Sequence, residues 1–245
     1  MKNMTQTLAA ALATTAVATA SHAATLSIGT TAPEAADLIA SNTTFNSFTR
    51  AFSDGPTGIG FDQTRGQSFK TTGLSTDTFN ATSFTVRKNG AQTFNASSSL
   101  TIWVGEYVGG NGNPGWSRTG TNGHGDGNPF SSTNLTPLVS GETVSIASQA
   151  FSGGEYLTFD FDSPIELSGD TDYFFLIGFQ GLSGSNDYIQ LGRGDGYSEG
   201  TMLFTNDAAN SVLGQDMTFW VSVPEPGSLA LLGLGGLMML KRRRQ

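Results

Sequence analysis

Five carboxylates fall within a short stretch of the chain, at Asp160, Asp162, Glu166, Asp170 and Asp172. Hard oxygen ligands in flexible turns suit Ca²⁺, and Asp170 and Asp172 are the candidate ligands for this one suggested cofactor. Two carboxyl groups at a defined separation across a cleft could instead hydrolyse a glycosidic bond. Strand alternation places Asp160 and Asp162 opposite two phenylalanines, so a solvent-facing sheet edge is a third interpretation.

A long connection rich in Gly and Asn, residues 105–134, holds side chains that could bind a sugar. Trp116 could stack on the apolar face of a sugar ring while Arg118 or Asp126 hydrogen-bonds its hydroxyls. Loops of this length in compact domains are often functional. The alternative is that Trp116 holds the loop against the sheet.

Residues 196–200, Gly-Tyr-Ser-Glu-Gly, fit the G-x-S-x-G pattern of a hydrolase nucleophile elbow. That motif needs a helix after it and a later histidine, whereas residues 201–205 have a strand pattern and His124 lies upstream. A β-turn is the better interpretation, and the same holds for Arg-Gly-Asp at 193–195. We predict no catalytic residue and no enzymatic activity.

Short segments of apolar alternation, the period of a strand, recur along the chain. In the segment 100–104, Leu100, Ile102 and Val104 point one way while Thr101 and Trp103 point the other. Residues 173–179 are apolar on both faces, which is typical of a central strand covered on both sides. The remaining strand segments are 66–72, 79–87, 144–147, 156–161, 188–191, 201–205 and 217–223.

These segments predict an all-β fold, an antiparallel β-sandwich that is jelly-roll-like, over residues 24–222. The one helix expected within it is short and lies near residues 33–39, where Pro33 suits a first helical turn. No internal repeat of fixed period occurs, which disfavours a propeller or a β-helix.

Charge is distributed unevenly along the chain. The full sequence has 12 Lys and Arg, five of them in the terminal segments, and 20 Asp and Glu. If Glu225 is kept with the exported part, that part has seven Lys and Arg, 20 Asp and Glu and a net charge of −13. Such a surface repels nucleic acid and anionic lipid. Cysteine is absent, so the fold rests on its core without disulfides.

The first 23 residues have the features of a secretory signal peptide. Lys2 precedes an Ala/Thr/Leu/Val run, and Ser21-His22-Ala23 places small residues at the positions that signal peptidase reads. The run has no polar face, which argues against an amphipathic helix of the folded domain. We expect the mature chain to start at Ala24.

The last 23 residues, 223–245, combine a rigid break, a short apolar run and a basic end. Pro224 and Pro226 flank Glu225 and prevent any strand or helix from continuing. The apolar run 229–240 would span only ~18 Å as a helix, against a hydrocarbon core of about 30 Å. Four cations that resist crossing the membrane follow it, at Lys241, Arg242, Arg243 and Arg244. A temporary membrane tether is therefore expected, with a permanent anchor as the alternative.

This order of Pro224-Glu225-Pro226, apolar helix and Arg-rich end resembles the PEP-CTERM sorting signal of Gram-negative bacteria. The resemblance implies that exosortase, a membrane-embedded peptidase, cuts at or near the Pro-Glu-Pro. It also implies transient residence in the inner membrane, followed by delivery to the cell surface or an exopolysaccharide matrix. Residues 66–69, 100–107 and 167–174 resemble the choice-of-anchor β-sandwich domains often found upstream of such tails.

Together these features predict an exported surface or matrix protein with a structural or adhesive role, and contact with exopolysaccharide is a further expectation. Its expected partners are signal peptidase, exosortase and that polysaccharide, with no nucleic acid. A carbohydrate-active hydrolase using a carboxylate pair is the alternative function.

Overall fold

The computed structural model describes residues 22–34, 38–52, 64–94, 96, 98–107, 117–118, 130–131, 135–180, 188–205 and 210–224. Within these residues the chain forms eighteen strands and no helix. The strands are β1 Ala24–Gly29, β2 Leu38–Asn42, β3 Ser47–Phe52, β4 Thr64–Lys70, β5 Thr78–Arg87, β6 Gln92–Thr93, β7 Ser99–Tyr107, β8 Ser117–Arg118, β9 Phe130–Ser131, β10 Leu135–Ser145, β11 Ala150–Phe151, β12 Tyr156–Ser168, β13 Asp172–Gln180, β14 Tyr188–Gly194, β15 Met202–Thr205, β16 Asn210–Leu213, β17 Asp216–Met217 and β18 Phe219–Ser222.

Two large sheets carry the architecture, and every strand pairing described is antiparallel. One sheet has five strands in the order β1-β12-β5-β18-β2, and the other has six in the order β10-β7-β13-β4-β15-β16. A three-stranded sheet, β17-β14-β3, and two short ribbons complete the fold. Apart from β15 and β16, paired strands in the two large sheets are not consecutive in the chain, so the sandwich depends on long-range pairing.

The core lies between the five-stranded and the six-stranded sheet. Phe84 of β5 is 5.8 Å from Phe175 of β13 and 6.1 Å from Phe69 of β4, measured between ring centroids. Leu157, Phe159 and Phe161 of β12 enter the same cluster, as the alternation of that segment predicts. The all-β antiparallel sandwich is therefore confirmed.

The six-stranded sheet is covered on both faces. Leu100, Ile102 and Val104 of β7 lie in the main core. A second buried cluster forms on the opposite face from Trp103, Tyr107, Phe174, Leu176 and Leu203. Since β13 contributes to both clusters, the prediction of a central strand apolar on both sides is confirmed.

The helix expected near residues 33–39 is wrong at its C-terminal end. Leu38 and Ile39 belong to β2, which pairs with β18, and Ile39 is buried in the core. Pro33 and Glu34 have no regular secondary structure. Burial against the neighbouring strand overrides the local preference for a first helical turn at proline.

Candidate functional site

The chain leaves the sandwich from the middle of a sheet. β18 lies between β5 and β2, and Phe219–Ser222 pair with Val86–Ser83 of β5. Pro224, two residues beyond the last paired residue, is exposed. Proline has no N–H to donate, so it cannot extend the pairing of β18. A peptidase acting at or beyond Pro224 would therefore leave every β18 pairing in place.

β1 belongs to the same sheet and begins close to the row of paired residues in which β18 ends. Ala24 pairs with Phe161, next to Asp160, which pairs with Ser83. Ser83 in turn pairs with Ser222. Three strand spacings of about 4.8 Å separate β1 from β18, so Ala24 and Ser222 lie roughly 14 Å apart. The residue predicted to start the mature chain and the last residue of β18 thus lie in the same sheet, with two strands, β12 and β5, between them.

A cleft of about 460 Å³ opens between the loop after β14 and the segment before β17. The side chains that line it are polar apart from one aromatic ring, and they include Asp195, Tyr197, Ser198, Thr201, Gln215 and Asp216. Tyr197 packs edge-on against the core residue Phe219, with ring centroids 5.2 Å apart. The cleft is thus anchored directly to the sandwich core.

Asp216 organises one wall of this cleft. One carboxylate oxygen accepts a hydrogen bond from Gln67 Nε2 at 3.0 Å. The other accepts from the backbone N–H groups of Tyr197 at 3.0 Å and Gly196 at 3.3 Å. Asp216 is 6% exposed, and a buried carboxylate needs such donors. These hydrogen bonds hold the loop after β14 in place.

The hydroxyl of Tyr197 connects the cleft to Lys70, the last residue of β4. The backbone N–H of Lys70 donates to this oxygen at 3.1 Å, and the hydroxyl lies 3.3 Å from the Lys70 carbonyl. Burial raises the pKa of Tyr197 to about 12. The phenol therefore stays protonated at neutral pH and acts as a neutral hydrogen-bonding group.

The G-x-S-x-G segment lies in this cleft as a turn between two strands. β14 ends at Gly194, residues 198–199 form the turn, and β15 begins at Met202. The strand predicted over 201–205 is confirmed. A nucleophile elbow needs a helix at that point, so the segment lacks the local structure of a hydrolase site.

The five clustered carboxylates spread along β12 and the turn after it. Asp160 is half-buried and accepts a hydrogen bond from Ser27 Oγ at 2.8 Å, whereas Asp162, Glu166 and Asp172 are exposed. Asp170 lies 2.6 Å from Lys70 Nζ, and this hydrogen bond raises the lysine pKa. In the part of the chain that the structure describes, no three His, Cys, Asp or Glu residues form a metal-binding group.

The predicted sugar-binding residues fall largely outside the described residues. This applies to Trp116 and Asp126, while Arg118 is described only as a backbone position in β8, paired with Phe130 of β9. Among the predicted sorting residues, the structure describes Pro224. The others lie outside the described residues, namely Glu225, Pro226, the apolar run 229–240, Lys241, Arg242, Arg243 and Arg244.

Sequence patterns did not reveal Asp216 or its partner Gln67. Gln67 is fully buried in β4, and it reaches Asp216 across 149 residues of sequence. A polar amide inside a buried strand was the available signal, because such a group must find a partner.

The chain matches the family model described as the PEP-CTERM protein-sorting motif, over residues 222–245. The match begins at Ser222, the last residue of β18, so the motif starts where the sandwich ends. This motif implies an exported protein that exosortase, a membrane peptidase, processes. No curated protein matches the chain. Among the described residues no helix is long and apolar enough to cross a membrane.

Proposed function

We propose that this protein is a non-enzymatic component of the cell surface or extracellular matrix of a Gram-negative bacterium. It passes through the inner membrane, is cut at Pro224-Glu225-Pro226 and then serves a structural or adhesive role. The observation that carries this proposal is the PEP-CTERM motif at residues 222–245, which begins at the end of a central strand. A cut there releases an intact sandwich.

Contact with exopolysaccharide is part of this role. The Gly/Asn-rich connection of residues 105–134 offers Trp116 for stacking on a sugar ring and Arg118 and Asp126 for its hydroxyls. The connection leaves β7 and returns to β10, which pair with each other at the edge of the six-stranded sheet. Binding residues often lie on connections between strands that a rigid scaffold positions.

Intact-mass analysis of the protein recovered from its host tests the processing step. We expect a mass that begins at Ala24 and lacks Lys241–Arg244. Replacing Pro224-Glu225-Pro226 by Ala-Ala-Ala should leave the uncut form in the inner membrane, whereas Pro164→Ala, at an exposed proline of β12, should be processed normally. A wild-type protein that keeps its final arginines at the cell surface would refute the proposal.

Retention by polysaccharide tests the binding role separately. We expect the exported protein to be retarded in gels that contain exopolysaccharide from its host, and Trp116→Ala to reduce this retardation without any sugar release by either protein. Release of sugar that a carboxylate-to-alanine change abolishes would favour the glycosidase instead.

A further inference from the structure

The outer face of the three-stranded sheet displays aromatic rings beside guanidinium groups. β3 and β14 pair so that Arg50 lies opposite Gln190, and Phe48 lies opposite Gly192. Ala51, Ile189 and Leu191, which alternate with these positions, are fully buried. Phe48, Arg50, Tyr188 and Gln190 therefore share the face that points away from the core.

Arg50 is held on this face by two rings. Its guanidinium carbon lies 4.5 Å from the ring centroid of Tyr188 and 5.5 Å from that of Phe48. Arg50 itself is exposed, and Phe48 is 37% exposed. Stacking orients the guanidinium while leaving N–H donors in its plane for a ligand.

A second arginine, Arg87 at the end of β5, stacks on a ring beside Gly192 of β14. The guanidinium carbon of Arg87 lies 3.8 Å from the ring centroid of Phe45. A Cβ at Gly192 would lie 3.0 Å from the Phe45 ring and 3.3 Å from Arg87 Cβ, so both residues cover the outward side of Gly192. The six residues of this aromatic-arginine face are Phe45, Phe48, Arg50, Arg87, Tyr188 and Gln190.

Neither arginine of the aromatic-arginine face pairs with a described carboxylate. The ion pair found in the described part of the chain joins Lys70 to Asp170, away from this face. Arg87 Nε is buried, and no described atom accepts a hydrogen bond from it. Among the described residues, neither guanidinium thus has a carboxylate partner, so a ligand can supply one.

Cations collect around this sheet although the protein is acidic. Of the seven Lys and Arg outside the predicted terminal signals, five lie on the three-stranded sheet or in contact with it, namely Arg50, Arg65, Arg87, Lys88 and Arg193. Asp162, Glu166, Asp170 and Asp172 lie instead on the second half of β12 and the turn that follows. Most of the cations between the terminal segments therefore lie near this sheet, together with Asp216 of β17.

Amide side chains border the aromatic rings. Asn89 Nδ2 donates to Gln190 Oε1 at 3.2 Å, and Gln92 Nε2 donates to the Tyr188 carbonyl at 2.6 Å. Asn89 and Gln190 are half-buried, so these contacts hold them in place at the surface. Fixed amides beside aromatic rings can hydrogen-bond hydroxyl groups of a sugar whose C–H face packs on the ring.

We propose that the aromatic-arginine face binds an acidic polysaccharide. The guanidiniums of Arg50 and Arg87 pair with uronate carboxylates, for which their planar fork is suited. Tyr188 and Phe48 pack against sugar rings, and Gln190 binds hydroxyls. This inference rests on the proposed matrix function and adds to it a second place of contact and the charge of the polysaccharide.

Affinity electrophoresis of the exported protein in gels containing alginate, a uronate polymer, tests the proposal against neutral dextran. We expect retardation by alginate alone, weakening as salt is raised. Arg50→Gln, which removes a charged contact, and Tyr188→Leu, which removes a stacking ring, should each weaken alginate binding about tenfold, equivalent to ~1.4 kcal/mol. The matched control Lys70→Gln removes one positive charge elsewhere and should bind alginate normally. Thermal unfolding checks that all variants are folded.

Several outcomes would overturn this proposal. Equal retardation by dextran would refute the acidic specificity, and normal alginate binding by Arg50→Gln would refute the site. Binding lost in Trp116→Ala but kept in Arg50→Gln would place the contact on the 105–134 connection and leave the proposed function standing. A change only in oligomeric state, seen by light scattering, would assign the face to a second copy of the chain. Correct processing without any alginate binding would refute the site while leaving a purely structural role.

Discussion

Phe84 of β5 and Phe175 of β13 meet across the middle of the sandwich, with ring centroids 5.8 Å apart and planes inclined by 58°. Phe84 also contacts Phe161 edge-on at 5.9 Å. Because Phe84 is 1% exposed and Phe175 is fully buried, this contact joins the two large sheets in a region without water. Aromatic pairs at such distances add to the free energy gained from burial alone.

Phe84→Ala should therefore destabilise the whole domain. Truncating a buried phenylalanine typically costs about 3–5 kcal/mol, because apolar contacts are lost and a cavity remains. Urea unfolding monitored by circular dichroism measures the change. The control Leu74→Ala, at a side chain that is 70% exposed, should alter the unfolding free energy by about 0.5 kcal/mol or less. Equal effects of the two substitutions would contradict the assigned core.

Local patterns were sufficient for some parts of the fold. The alternation of Leu100, Ile102 and Val104 predicted which face of β7 enters the core, and the tail motif is contiguous, so both follow from neighbouring residues. β3 was not predicted, since its sequence Ser-Phe-Thr-Arg-Ala-Phe places Arg50 within the strand and its partner β14 lies far along the chain.

The cleft could not be predicted from the sequence for the same reason. Gln67 and Asp216 are 149 residues apart and meet only after β4 and β17 are placed. The aromatic-arginine face likewise requires Phe45, Arg87 and Gly192 from three separate segments. No sequence spacing encodes such a convergence, whereas the recognised sorting signal needs no tertiary structure at all.

Asp216→Ala should destabilise the cleft more than its neighbour Asp195→Ala. Removing the Asp216 carboxylate leaves Gln67 Nε2 and two backbone N–H groups without their acceptor. A buried donor left unsatisfied costs about 1–3 kcal/mol. Asp195 lines the same cleft but is exposed, so its loss should be within about 0.5 kcal/mol. Chemical denaturation compares the two, and similar losses would contradict the role assigned to Asp216.

Lys88 should make stability depend on alkaline pH. Its side chain is fully buried, its ammonium donates to the carbonyls of Asn89 and Gly90, and it lies 5.2 Å from the Phe151 ring centroid. Burial lowers the lysine pKa to about 8, partly opposed by Glu155. Between pH 8 and the ordinary value of 10.5, the unfolded chain binds more protons than the native one. The Lys88 contribution to the unfolding free energy therefore rises with pH over that interval.

Lys88→Met isolates this contribution. Below about pH 8 the lysine is charged in both states, so the stability of the wild type relative to the variant should be constant there. It should then increase toward pH 10.5, by at most about 3 kcal/mol. Lys70→Met is the control, because the hydrogen bond to Asp170 raises the pKa of Lys70 and gives no increase over this range. If the difference in unfolding free energy between the wild type and Lys88→Met does not change with pH, the assignment of Lys88 as a buried ammonium is contradicted.

Processing at the sorting motif should leave the sandwich as stable as before the cut. All described pairings of β18 are made by Phe219–Ser222, and Val221 and Phe219 are fully buried in the core. Thermal unfolding of the exported protein and of the uncut Ala-Ala-Ala variant in detergent should give equal midpoints. Inserting a protease site between Thr218 and Phe219 and cutting there should instead abolish cooperative unfolding, because β5 and β2 lose the strand between them. A lower midpoint after natural processing would mean that residues beyond Pro224 contribute to the fold.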